Sequence, residues 1–76
     1  MKMNVILEKA DSNWCAYTPD DGFCIVATGR TRDKVIEQFQ GALFQHLEAM
    51  KSEGLEVPDV TELEIREVVP LSSQAA

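Results

Sequence analysis

An apolar stripe at helical spacing constrains this chain more than any other feature. Val35, Ile36, Phe39, Leu43, Leu47 and Met50 recur at three- and four-residue steps. That period places them on one side of an α-helix, and a helix with one apolar side needs another layer to cover it. Both ends carry stop signals. Thr31 follows Gly29-Arg30 and is placed to accept a backbone N–H as N-cap, while Asp33 sits against the positive end of the helix dipole. Lys51 falls in the last turn, Gly54 can take the left-handed C′ position, Leu55 follows it and Pro58 lies beyond. The pattern predicts a helix over 32–53. In a chain of 76 residues that helix leaves material for a single hydrophobic core.

The covering layer is predicted to be a sheet. Met3, Val5 and Leu7 alternate along the first strand, which ends at the charged pair Glu8-Lys9. Asp11-Ser12-Asn13 supplies side chains that bond locally to backbone and make a hairpin turn, and Trp14 to Thr18 reads as the second strand. Pro19-Asp20-Asp21-Gly22 has the proline and glycine of a second reversal. Phe23 to Thr28 is nearly continuous in apolar character, as for a strand covered on both faces, so the third strand is expected in the middle of the meander. After the helix, Thr61, Leu63 and Ile65 alternate with Glu62, Glu64 and Arg66 in a half-exposed strand that can return to an edge beside the first. The expected fold class is α+β, in the order β-β-β-α-β: an antiparallel sheet with one long helix packed on one face. Residues 1–70 form the one domain, and 71–76, which follow Pro70 without periodicity, are expected to be a flexible tail.

With 45% hydrophobic and 26% charged residues the chain is expected to fold, although a core this small is marginal and favours a homo-oligomer, dimer or tetramer. The net charge of −6 argues against broad binding to a phosphate backbone; it fits a basic protein partner, but solubility is the reading that comes first. No leader pattern and no membrane-spanning run is visible, so a cytoplasmic location without membrane contact is expected. If the second turn is centred on Asp20-Asp21, Cys15 lies opposite Val26 and Cys24 opposite Tyr17, which makes the cysteines diagonal neighbours, too far apart for a disulfide. Without a nearby histidine pattern they make a poor metal site, and both are expected as core or half-buried residues.

The ordered combination of these pieces resembles the HicB family of antitoxins. The resemblance runs from Met1 to about Pro58: a first strand ending in Glu8-Lys9, an aromatic strand leading into Tyr17-Thr18-Pro19-Asp20, a strand reaching Ala27-Thr28-Gly29, Thr31 opening the helix, then Gln45-His46-Leu47-Glu48, Gly54 and Pro58. It implies a fold similar to part of the ribonuclease H architecture. It also implies neutralisation of a small basic HicA-type toxin that cleaves messenger RNA. Many family members continue into a helix-turn-helix or ribbon-helix-helix domain, so direct DNA binding by this chain alone is not expected. The family's Pro-Asp-Leu-Pro-Gly-Cys segment stands here as Pro19-Asp20-Asp21-Gly22-Phe23-Cys24, without the second proline, and a partner contact made there would differ.

Catalysis finds little support. Two-magnesium nuclease chemistry needs several converging carboxylates, and among Glu8, Asp11, Asp20 and Asp21 three fall in hairpin turns where Asp is favoured for local bonding. His46, the one histidine, lies at the margin of the helical stripe with no Ser or Cys at helical contact spacing, as a packed or interfacial residue would. No catalytic, cofactor-binding or metal-binding residue is assigned. Partner binding is expected to draw on the aromatics Trp14 and Tyr17, for which core or sheet packing is the equal alternative, and on Asp20, Asp21, Glu62 and Glu64. Asp11 belongs to the same acidic set. A different class of function also fits the residues: a solitary oligomeric binding or structural module with no toxin partner.

Overall fold

A computed structural model of the chain describes residues 2–19 and 24–68. Its elements are β1 (Lys2–Lys9), β2 (Trp14–Tyr17), β3 (Val26–Gly29), α1 (Arg32–Ser52) and β4 (Glu62–Val68). The strands form one sheet in the order β3-β2-β1-β4, with α1 packed on one side. The α+β class and the chain order of elements are those the sequence predicts.

Two sheet expectations are corrected. The sheet is mixed rather than antiparallel: β1–β2 and β2–β3 are antiparallel, whereas β4 takes its place beside β1 in parallel. Two hairpin reversals turn β3 back to the direction of β1, and the helical crossover delivers β4 in that same direction, so parallel pairing follows from the connection. The third strand is also an edge strand, not the middle one. Its apolar run is covered on one side only: Ile25 and Ala27 are 4% and 9% exposed, whereas Val26 is 60% exposed.

The core is the helix-facing side of the sheet closed by one stripe of α1. Met3, Val5 and Leu7 from β1, Ala16 from β2, and Ile25 and Ala27 at β3 bury against Val35, Phe39 and Leu43. Ile36 and Leu47 pack at its margin and Met50 is half-buried, because the stripe is widest near the helix start and runs out toward its end. Burial of each Val, Leu, Ile, Phe or Met side chain in this core contributes roughly 1.5–3 kcal/mol, and the two alanines contribute less.

The helix ends are capped as their residues dictate. The Thr31 hydroxyl accepts from the Lys34 N–H at 3.1 Å, and Asp33 lies in the first turn. At the other end Leu55 N–H donates to Met50 O at 2.9 Å and Gly54 N–H to Lys51 O at 3.1 Å, with Gly54 at φ +76°. This pair of bonds closes the last turn and satisfies its carbonyls. Gly29 has another reason to be glycine: a Cβ there would stand 2.7 Å from the Val35 nitrogen, because β3 passes directly into the helix start. An ion pair of 2.9 Å between Arg32 and Glu67 ties that start to the end of β4.

The hairpin register corrects the cysteine geometry. Cys15 pairs with Thr28 and Tyr17 with Val26, two residues from the register expected for a turn centred on Asp20-Asp21. The shift preserves which side each residue faces but removes the diagonal relation of the two thiols. Both cysteines are free; Cys15 is half-buried, within the expectation of a core or half-buried residue, and Cys24 is exposed, outside it. The turn residues 20–23, and the tail expectation for 71–76, lie outside the described residues.

Candidate binding surface on the open sheet face

A single helix covers one side of a four-stranded sheet, and among the described residues nothing covers the other. Strand alternation decides what that open side presents. From β1 come Lys2, Asn4, Ile6 and Glu8; from β2, Cys15 and Tyr17; from β3, Val26 and Thr28; from β4, Glu62, Glu64, Arg66 and Val68. The registers place Arg66, Ile6, Tyr17 and Val26 side by side in one row across all four strands. The next row is Val68, Glu8, Cys15 and Thr28. The centre is thus an apolar and aromatic band, with charge concentrated on the β4 side. A shallow cavity of about 250 Å³ opens there among Asn4, Ile6, Pro19, Glu64 and Arg66.

The residues expected to bind a partner divide between the two sides. Tyr17, Glu62 and Glu64 share the open face; Tyr17 is half-buried and both glutamates are exposed. Glu62 stands 3.9 Å from Lys2, its register neighbour. Trp14 points to the other side, where it packs half-buried against the core and carries the Lys9 ammonium 5.9 Å from its ring centre. The sheet therefore separates the two aromatics that sequence reasoning treated together. Asp20 and Asp21 lie outside the described residues. Asp11 is exposed in the β1–β2 turn, which Ala10 N–H closes by donating to Asn13 O at 2.8 Å. His46 is half-buried on α1.

Sequence reasoning missed Ile6, Val26 and Arg66 as members of this surface. Their signal was present in the phase opposite to the buried one: Ile6 between Val5 and Leu7, Val26 between Ile25 and Ala27.

A second apolar feature lies on the helix side. Because α1 leaves the outer part of β4 uncovered, a groove of about 460 Å³ runs between the two, lined by Leu43, Phe44, Leu47, Val60, Leu63 and Ile65. Phe44 stands at its rim, 65% exposed.

Among the described residues no three His, Cys, Asp or Glu side chains cluster closely enough to hold a metal ion, and no helix is long and apolar enough to cross a membrane. Comparison with protein-family models, with curated proteins and with solved structures finds no significant match for this chain.

Proposed function

We propose that this chain is a HicB-like antitoxin that neutralises a small basic HicA-type toxin by stoichiometric docking. The observation that carries the reading is the open sheet face. An apolar row of Ile6, Tyr17 and Val26, with Arg66 at its β4 end and Glu8 and Glu64 in the adjoining rows, suits a protein surface with an apolar centre, and the excess of acids over bases on the face favours a cationic one. The net charge of −6 supports the same partner, since opposite charge speeds encounter while the apolar band sets the lifetime of the complex. The resemblance of residues 1–58 to the family supplies the identity of the toxin. Masking the toxin's RNA-binding surface needs no covalent chemistry and no cofactor from this chain.

Co-expression with the small reading frame adjacent to its gene tests the proposal, read by size-exclusion chromatography and by growth. Co-elution of the two products with rescue of growth is expected. A product that leaves growth unrescued and elutes apart from this chain contradicts the antitoxin reading and favours the solitary oligomeric module.

A further inference from the structure

The outer edge of β4 is the longer of the two sheet edges, seven residues against four in β3. Unpaired backbone N–H and C=O groups along such an edge are a template for another strand, and proteins that keep an edge solitary interrupt it with proline, a bulge or charged side chains, lysine above all; β4 carries Glu62, Glu64, Arg66 and Glu67, of mixed sign. The segment Glu62–Val68 contains neither proline nor lysine and pairs with β1 residue for residue without a bulge.

We propose that β4 pairs antiparallel with β4 of a second copy of this chain, about a twofold axis at Ile65, to form a continuous eight-stranded sheet with both helices on the same side. Ile65 is the midpoint of Glu62–Val68, so this register alone pairs every residue of the strand with its counterpart. On the open face it sets Glu64 opposite Arg66 of the second copy, and the twofold axis repeats the pair. Opposite charges directly across an antiparallel ladder stabilise it, and like charges destabilise it. Within the protomer neither Glu64 nor Arg66 forms an ion pair among the described residues, so both are available. Moving the axis to Glu64 sets that glutamate against its own copy while placing Arg66 opposite Glu62, and moving it to Arg66 sets the arginine against its own copy; both shifts shorten the ladder, so the full length of the strand selects the register about Ile65. On the helix side Ile65 meets Ile65 of the second copy, which joins the two grooves across the axis, and Leu63 stands opposite Glu67. The pairing leaves the centre of the open face free, so it stands independently of the antitoxin reading.

The test is the solution mass of the full chain by light scattering across a concentration series. Wild type is expected at twice the protomer mass. Glu64→Arg and Arg66→Glu each place like charges across both ends of the pair and are expected to run as monomers with wild-type circular dichroism, because both side chains are exposed. An equimolar mixture of the two variants, in which two acids on one chain oppose two arginines on the other, is expected to recover the dimer, as is the double swap. A monomeric wild type, a dimer that survives both single substitutions, or a mixture that stays monomeric would overturn the proposal.

Discussion

The same strands build two unlike surfaces. Toward the helix, β1 presents Met3, Val5 and Leu7 at 5%, 2% and 0% exposure; away from it, the intervening Asn4 is exposed and Ile6 half-buried. At β3 the contrast is sharper, with Val26 at 60% between two buried neighbours. Both sides carry apolar residues, so hydrophobicity alone does not distinguish them. What distinguishes them is whether an element exists to close the surface, and the described residues supply one long helix for two sides of a sheet. The covered side holds the fold together, while the open side is left without a layer over it among the described residues.

Substitutions that respect this division should differ widely in effect. The largest is expected inside the covered side: Phe39→Ala empties the centre of the core and should cost about 3–5 kcal/mol, a large part of the stability of a small domain. Chemical denaturation should find this variant mostly unfolded. Gly29→Ala is next. Its Cβ would press on the Val35 backbone at 2.7 and 2.9 Å, at the point where sheet passes into helix, and overpacking of that kind costs roughly 1–3 kcal/mol. Gly41 provides the contrast within α1. Nothing stands within 4 Å of a Cβ there, so Gly41→Ala should stabilise by about 1 kcal/mol through helix propensity, read as a rise in thermal midpoint. The smallest effect is expected on the open side, where Val26→Ser should change stability by no more than about 0.5 kcal/mol. A loss comparable to that of Phe39→Ala would mean that the open side is part of the core.

Much of the covered side is legible in the sequence. The spacing of Val35, Phe39 and Leu43 identifies the helix stripe, Thr31 and Gly54 mark its ends, and the alternation of Met3, Val5 and Leu7 gives the inner face of β1. The errors arise where one local pattern serves two environments. The continuous run around Ile25-Val26-Ala27 suggests a strand covered twice, but an edge strand with an exposed apolar residue has the same composition. Parallel pairing of β4 is set by how many times the chain reverses, a global property that the alternation of Leu63 and Ile65 does not encode. The candidate surface was legible only in pieces for the same reason. Tyr17 and Trp14 are three residues apart in a strand, which puts them on opposite sides, and the row that joins Tyr17 to Ile6, Val26 and Arg66 exists only once the registers of three strand pairs are known.

The claim that the open side is the recognition surface is tested most directly by the affinity of Val26→Asp for the co-expressed basic partner, measured by titration calorimetry beside wild type. A charge in the apolar row should weaken binding at least about tenfold, equivalent to about 1.4 kcal/mol, while the thermal midpoint stays close to that of wild type. Unchanged affinity in a folded Val26→Asp protein would contradict the account and place the partner elsewhere on the molecule.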